Sequence, residues 1–268
     1  MQMISEFAPA KINLSLHLVG QKSDGYHLLD SIVSFVNIGD KISIEPGKSG
    51  ELKVAGPFAK DLPRSNHNLV LKAARLFDNI KHSRITLEKN IPVTSGIGGG
   101  SADAAATVRL FSKFYNKPEL PVEKLISLGS DVPVCMQKGI VRMMGVGEKI
   151  IKLSPAPKVG ILLVNPRKAL STAKVFSAVK EKNNSGLNLQ GSGEKSLNSW
   201  FDWINSMRND LTASAIDLIP DIRFILDKLI TCEGAKVIRM SGSGATCFAL
   251  FEAVSYTHLE PTRHLDIS

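Results

Sequence analysis

The chain has 268 residues, enough for one large domain or two modest ones, and 43% of them are hydrophobic and 22% charged. This ordinary globular composition excludes global disorder, and no apolar run approaches the length of a membrane span. The net charge of +8 suits an anionic partner, but the basic residues are dispersed, so a phosphorylated small molecule explains the charge as well as nucleic acid does. The three cysteines and six histidines lack metal-ligand spacing, and the first residues lack the features of a signal peptide, so a cytoplasmic protein is expected.

The first predicted element is a strand over residues 4–19, where apolar and polar side chains alternate. The apolar side chains form a core face. The opposite face carries Lys11, Asn13 and His17. Most such faces are solvated, so the pattern alone does not assign Lys11 a function.

A turn at Asp24–Gly25 follows, with Tyr26 and His27 just past its tip. A tyrosine beside a histidine can stack on a planar base and hydrogen-bond its edge, although a packed hairpin tyrosine is the simpler interpretation. Further along, the pattern predicts strands over 31–37, 41–45 and 51–55 and an amphipathic helix over 67–80.

The most distinctive stretch is rich in glycine. Four of the five residues from Gly96 to Gly100 are glycines, a predicted strand over 84–91 precedes them, and a predicted helix over 101–115 follows. Glycines let successive backbone N–H groups converge, and a helix start adds unpaired N–H groups and the positive end of its dipole. The sequence therefore predicts a site for a phosphate chain. Ser101 occupies the expected cap position, from which its hydroxyl could reach a phosphate or a Mg²⁺ ion.

The second half begins after a short helix predicted over 122–128 and a tight loop over 129–133, which contains Asp131. A hairpin is predicted over 140–153. The proline-rich residues 154–157 are the best domain boundary, giving domains over 1–155 and 156–252. The second domain is predicted to contain a strand at 159–164, helices at 171–182, 196–207, 209–217 and 220–231, strands at 236–240 and 246–251, a mobile surface loop at 183–195 and a second glycine loop at 241–245. This order favours an α+β fold with helices on one face of the sheet.

Three common glycine-loop sites do not fit the sequence. A P-loop requires a lysine after its glycines, and none is present. A Rossmann loop ends the first strand of its fold and has an acidic residue roughly 20 positions on, whereas about 90 residues precede this loop. A protein-kinase loop needs His-Arg-Asp and Asp-Phe-Gly partners, which are absent. The remaining interpretation is a loop that caps a helix over a nucleoside triphosphate.

Residues 92–104 resemble the phosphate-binding motif of the galactokinase–homoserine kinase–mevalonate kinase–phosphomevalonate kinase (GHMP) superfamily, and residues 8–14 and 240–246 resemble its other two motifs. Together with residues 24–27 and 129–133, they resemble the members that act on a cytidine-diphosphate-linked methylerythritol in the non-mevalonate isoprenoid route. The resemblance spans most of the chain. It implies a two-domain α+β fold, with an N-terminal domain like domain 2 of ribosomal protein S5, a C-terminal ferredoxin-like domain and an active site between them.

The resemblance also implies roles for individual residues and for ATP and Mg²⁺ as cofactors. Lys11 and Asp131 match the family's catalytic pair, and Asn68 resembles an adenine-side position. The positions that match cytidine contacts are Asn13, Tyr26 and His27, with Thr172 and Phe176 closing on the cytosine. The positions that match the ATP-phosphate segment are Pro92, Val93, Thr94, Ser95, Gly96, Ile97, Gly98, Gly99, Gly100, Ser101 and Ala102. The implied reaction is phosphorylation of the 2-hydroxyl of the cytidylyl substrate.

Two alternatives stay open at this point. One is a sibling kinase for homoserine, mevalonate or a sugar, and the other is a non-catalytic nucleic-acid-binding protein built on the S5-like half. The favoured partner is a small-molecule substrate, with no nucleic acid or membrane, for a monomer or weak homodimer. One departure from the family concerns residues 253–268, where a closing helix is expected but no helical period occurs. We expect a poorly ordered tail and thin cover over the last strand.

Overall fold

The computed structural model of the chain describes residues 2–47, 50–62, 68–93, 95–153, 155, 157–189 and 196–253. Two predictions, the role of Thr94 and the disordered tail from residue 254 onward, lie outside these residues. The described chain forms a seven-stranded sheet and a three-stranded sheet, both packed against helices. Within these ranges, no helix combines the length and apolar character needed to cross a membrane.

The larger sheet is organised around one long central strand. Its strands are β1 (Ile4–Asn13), β2 (His17–Gln21), β3 (His27–Pro46), β4 (Leu52–Ala55), β5 (Ser83–Glu88), β6 (Val141–Gly145) and β7 (Lys149–Lys152). The 20-residue β3 pairs antiparallel with β1, β2, β5 and β6, whereas β4 and β5 are parallel. The predicted strand over residues 4–19 is thus two strands. The two strands predicted over 31–37 and 41–45 are parts of one.

Four helices accompany this sheet: α1 (Leu69–Ala74), α2 (Gly99–Phe114), α3 (Val122–Leu128) and α4 (Val132–Cys135). Short 3₁₀ turns lie at Ala59–Asp61 and Asp78–His82. Small buried side chains in the first half of α2 let this helix pack closely against its neighbours. They are Ala102, Ala104, Ala105 and Ala106. The helix predicted over 67–80 is shorter than expected because α1 ends at Ala74, although Phe77 still reaches the core.

The smaller sheet has the order β8 (Val159–Val164), β10 (Cys247–Glu252), β9 (Ala235–Met240), and both pairs are antiparallel. Its helices are α5 (Thr172–Ala178), α6 (Leu197–Asn205), α7 (Thr212–Leu218) and α8 (Asp221–Ile230). The expectation of thin cover over the last strand is wrong. The last strand, β10, is central in the sheet, and residues 247–250 are almost wholly buried.

Apolar side chains of both sheets meet in one shared core. Ile12 and Ile32 from the larger sheet lie in the same cluster as Phe201 and Phe248 from the C-terminal half. Both halves therefore contribute to the packing that positions β1. The domain boundary near residue 155 stays a prediction.

Two polar segments pack more closely than their sequence patterns alone indicated. The polar face of the first strand is not solvated, because Lys11, Asn13 and His17 are each less than 5% exposed. The segment predicted as a mobile loop over 183–195 packs against the larger sheet in its described part. There, Leu187 is buried and its backbone N–H donates to the Asp30 carboxylate at 2.8 Å.

Candidate active site

A cavity of about 610 Å³ is lined by both halves of the chain. Its walls come from β1, the glycine loop, the loop before α4, the start of α5 and the second glycine loop. The predicted site residues that line it are Lys11, Asn13, Asn68, Pro92, Val93, Ser95, Gly96, Gly98, Gly99, Gly100, Ser101, Asp131, Thr172 and Phe176. The structure therefore brings together residues that are far apart in the sequence.

The glycine loop has a backbone that requires glycine at two positions. Gly96 and Gly98 have φ values of +74° and +68°, and a Cβ on Gly96 would lie 2.0 Å from the Gly244 carbonyl oxygen. Gly98 is the N-cap of α2, so the expected cap role of Ser101 is wrong, since Ser101 is the third residue of the helix. The first N–H groups of α2 have no acceptor within the helix, which leaves them available to an anion at the cavity.

Among the described residues of the predicted phosphate segment, two do not line the cavity. Ile97 and Ala102 are 3% and 1% exposed and pack into apolar clusters. Their side chains support the loop and the helix. Ile97 also accepts a hydrogen bond from the Lys11 backbone N–H at 2.8 Å through its carbonyl, which joins the loop to β1.

Lys11 and Asp131 form an ion pair in the cavity wall. The Nζ–Oδ2 distance is 2.7 Å, with 5% of the Lys11 side chain and 34% of the Asp131 side chain exposed. A register shift between Pro9 and Lys11 interrupts the pairing of β1 with β3 next to the lysine. The lysine stem passes beneath the glycine loop, because a Cβ on Gly98 would lie 3.1 Å from the Lys11 Cβ. The pair therefore places a cation and a partly open carboxylate next to the predicted phosphate site.

The residues predicted to contact cytidine divide into two groups. His27 and Phe176 have ring centroids 5.0 Å apart, so the turn after β2 meets the helix α5. Partial burial and then the nearby Lys182 lower the pKa of His27, which favours the neutral imidazole near pH 7. Neither His27 nor Tyr26 lines the cavity, and Tyr26 is 65% exposed.

The remaining predicted positions have defined partners. The Asn13 Nδ2 group donates to the Ser31 hydroxyl at 2.8 Å, while the buried Oδ1 atom has no partner among the described residues. The hydroxyls of Thr172 and Ser243 are 2.9 Å apart, so a hydrogen bond joins the first residue of α5 to the second glycine loop. Asn68 caps α1, because its Oδ1 atom accepts from the Val70 N–H at 2.8 Å.

Residues at the second glycine loop form hydrogen bonds to the backbone of the first. The Thr246 hydroxyl donates to the Ser95 carbonyl, and the Ser241 hydroxyl donates to the Gly96 carbonyl at 3.4 Å. Ser241 in turn accepts from the Asn13 N–H at 3.1 Å. These bonds hold the carbonyl groups of the phosphate segment toward the C-terminal half.

Sequence reasoning missed several cavity residues. Lys89 and Asp103 line the cavity and form a buried ion pair, with an Nζ–Oδ2 distance of 3.0 Å. Apolar Leu16, Leu29 and Met143 also line it. Lys89 lies directly after the strand that precedes the glycine loop, and Asp103 lies shortly after the loop. This position next to the loop was the one indication in the sequence that the two residues reach the cavity. A charged residue in such a position is usually solvated, so the pattern alone does not predict the pair.

Comparison with known proteins identifies the family. Residues 68–142 match the model of the GHMP kinases N terminal domain, and residues 188–255 match that of the GHMP kinases C terminal region. A 4-diphosphocytidyl-2-C-methyl-D-erythritol kinase of Cereibacter sphaeroides is 45% identical over 250 residues, covering 93% of this chain and 90% of the relative. The chain belongs to the 4-diphosphocytidyl-2-C-methyl-D-erythritol kinase family of GHMP kinases. The relative from Paracoccus denitrificans is 46% identical over 250 residues, with coverages of 93% and 88%.

Solved structures agree with this assignment. A crystal structure of 4-(cytidine 5'-diphospho)-2C-methyl-D-erythritol kinase has a TM-score of 0.75 and 28% identity, covering 92% of this chain and 90% of that chain. Homoserine kinase from Cytophaga hutchinsonii has a TM-score of 0.63 and 18% identity over 93% and 85% of the two chains, so it shares the fold. The predicted two-domain GHMP kinase fold is confirmed, and the chain is an ATP-dependent small-molecule kinase.

Proposed function

We propose that this kinase transfers the γ-phosphoryl group of ATP to the 2-hydroxyl of 4-diphosphocytidyl-2-C-methyl-D-erythritol, a step of the non-mevalonate route to isoprenoid precursors. The observation that carries the proposal is the Lys11–Asp131 pair, with its 2.7 Å contact beside the glycine loop. Relatives that are 45% and 46% identical are named as kinases of 4-diphosphocytidyl-2-C-methyl-D-erythritol, which supports this compound as the phosphoryl acceptor.

In the proposed reaction, the acceptor hydroxyl oxygen forms a bond to the γ-phosphorus while the bond from that phosphorus to the β–γ bridging oxygen breaks, and ADP leaves. Phosphoryl transfer is loose, so catalysis depends mainly on positioning and charge stabilisation. The free N–H groups at the start of α2 bind the donor phosphates. Asp131 orients the hydroxyl and accepts its proton late, after bond formation has made it acidic. Lys11 keeps the carboxylate in place and stabilises charge on the transferring group.

The residues at the cavity fit a Mg²⁺ ion that travels with ATP. Mg²⁺ typically keeps several waters and takes only one or two protein oxygens in addition to phosphates. The described residues contain no cluster of three or more His, Cys, Asp or Glu side chains that could hold a metal. Ser101, which lines the cavity near the start of α2, would supply a hydroxyl for such an ion. When bound, the ion neutralises charge on the phosphates.

Other residues at and beside the cavity support a cytidine site. The Asn13 Oδ1 atom lies buried and unpartnered among the described residues, so it would accept a donor from a ligand. His27 forms an aromatic pair with Phe176, which lines the cavity, and Tyr26 directly precedes His27 in the chain. Thr172 closes this region from α5. We propose that Tyr26 and Phe176 contact the cytosine and that Asn68 contacts the adenine side.

The proposed setting of the enzyme is the cytoplasm, as a monomer or weak homodimer that binds neither membranes nor nucleic acid. A coupled assay of ADP release tests the function, with the cytidylyl substrate compared with homoserine, mevalonate and galactose. We expect turnover with the cytidylyl substrate alone. Turnover with another acceptor in its place would select the sibling kinase, and polynucleotide binding with a steep salt dependence would favour the nucleic-acid alternative.

A further inference from the structure

A lysine lies fully buried beneath the phosphate loop. The Lys89 side chain is 2% exposed, and burying a charge is costly unless partners compensate it. Its ammonium donates to the carboxylates of Asp40 and Asp103, which are themselves 0% and 3% exposed. One lysine ammonium therefore bridges two buried carboxyl groups beside the larger sheet.

The partners of Lys89 connect the two ends of the glycine loop. Asp40 lies on β3, and its other oxygen accepts from the backbone N–H groups of Asn90 and Ile91, the latter at 3.1 Å. Asp40 thus holds the chain where it enters the loop. Asp103 lies near the start of α2, where the chain leaves the loop. Through Lys89, one hydrogen-bonded chain connects the entry of the loop with its exit.

The ammonium also lies close to the start of α2. A Cβ on Gly99 would lie 3.2 Å from the Lys89 Nζ atom and 2.9 Å from the Ile91 Cδ1 atom. Gly99 is the first residue of α2, and the start of this helix lines the cavity. The Lys89 ammonium already donates hydrogen bonds to Asp40 and Asp103. Lys89 is therefore suited to hold the loop and not to bind the phosphates directly.

We propose that Lys89, through Asp40 and Asp103, is a positioning residue that fixes the glycine loop for the donor phosphates of ATP. The inference rests on the proposed function only in taking the loop as the ATP site. The cation after the glycines of a P-loop is absent here. In this chain the lysine directly after β5 fixes the geometry of the loop through its two carboxyl partners.

The test compares three substitutions in the first part of α2. Asp103→Leu removes one of the two acceptors of Lys89 and keeps only the branched shape of the side chain, whereas Asp103→Asn keeps an acceptor oxygen and is the conservative rescue. Thr107→Val is the matched control. Thr107 is fully buried on the same helix, and its hydroxyl donates only to the Asp103 carbonyl within the helix, at 2.7 Å.

Binding of a fluorescent non-hydrolysable ATP analogue is measured together with the KM values for ATP and for the cytidylyl acceptor. We expect Asp103→Leu to weaken analogue binding and raise the KM for ATP about tenfold, because the loss of one hydrogen bond to a charged group displaces the loop. The KM for the acceptor should stay unchanged. Asp103→Asn should recover most of the loss, and Thr107→Val should match the unaltered enzyme.

Equal nucleotide binding by Asp103→Leu and Thr107→Val would overturn the proposal, as would an equal rise in the KM values of both substrates. If circular dichroism shows that Asp103→Leu is unfolded, Asp103→Ser replaces it with the same expectation, because its shorter side chain also loses the contact with Lys89. Binding of the analogue requires no acceptor. An error in the proposed acceptor would therefore appear separately, as analogue binding without turnover of the cytidylyl substrate by the unaltered enzyme.

Discussion

Replacement of Asp103 by asparagine should remove a pH dependence from the stability of the fold. Burial raises the pKa of the Asp103 carboxyl from 3.8 to about 7; Lys89 at the end of β5 opposes the shift and Asp40 on β3 adds to it. Cys135 on α4 also lies within the electrostatic range of Asp103. In the unfolded chain the carboxyl titrates near its ordinary value. Between about pH 4 and pH 7 the folded state therefore retains a proton that the unfolded state has lost.

The sign and size of the effect follow from this difference. Stability from Asp103 is fully present below about pH 4 and is lost as the pH rises to about 7, because the unfolded state binds fewer protons in this window. Each pKa unit of difference between the folded and the unfolded state corresponds to about 1.4 kcal/mol, so the effect is on the order of a few kcal/mol. Asparagine resembles the protonated carboxyl in size and charge. Relative to the unaltered chain, the Asp103→Asn variant should therefore gain stability, on the order of a few kcal/mol, as the pH rises from about 4 to about 7.

Urea unfolding followed by circular dichroism at pH 5, 6, 7 and 8 measures the difference in free energy of unfolding between variant and unaltered chain. The matched control is Asp202→Asn, since Asp202 is an exposed residue of α6. The difference for Asp103→Asn should grow with pH while that for Asp202→Asn stays flat. A difference for Asp103→Asn that is constant from pH 5 to pH 8 would refute the reasoning.

Three further predictions concern the site itself. Asp131→Asn should lower kcat by about 10²–10⁴-fold with little change in the KM for ATP, because the variant cannot accept the proton, and wild-type turnover in the coupled assay would contradict this role. Tyr26→Ala should raise the KM for the cytidylyl substrate while ATP binding stays intact; an equal loss for both substrates in the same assay would argue against stacking on cytosine. Gly96→Ala should destabilise the fold by about 3 kcal/mol or more, because a Cβ would lie 2.0 Å from the Gly244 carbonyl oxygen at a φ of +74°. Gly25→Ala is the control in urea unfolding, since it shares the positive φ but has no atom within 4 Å of the added Cβ, and equal losses would show that the clash is unimportant.

Local patterns predicted the parts of the fold that depend on neighbouring residues. The strand, glycine turn and helix around Gly96–Gly100 were predicted because glycine content and apolar period act over a few positions. The helix α3 and the hairpin of β6 and β7 were predicted for the same reason. By contrast, Phe77 was assigned to a helix because it fits the period, although tertiary packing buries it beyond the end of α1.

Contacts between distant residues could not be predicted from pattern. Lys11 and Asp131 are 120 positions apart, and only the family resemblance suggested that they meet. Lys89 is an ordinary charged residue in the sequence, and its burial depends on Asp40, 49 positions away. The polar face of β1 was indistinguishable from a solvated one, because its cover comes from the glycine loop and from the C-terminal half.

With the glycine loop taken as the proposed ATP site, the bonds from Thr246 and Ser241 to the carbonyl groups of Ser95 and Gly96 would connect nucleotide affinity with the association of the two halves. A loop whose carbonyl groups are fixed by the other half has its binding geometry only while the halves are together. By linkage, any ligand of that loop must strengthen the contact between the halves by the same free energy that the contact adds to ligand binding. Bound ATP would then stabilise the association of the two halves. An isolated N-terminal half would bind ATP weakly, even with every residue of the glycine loop present.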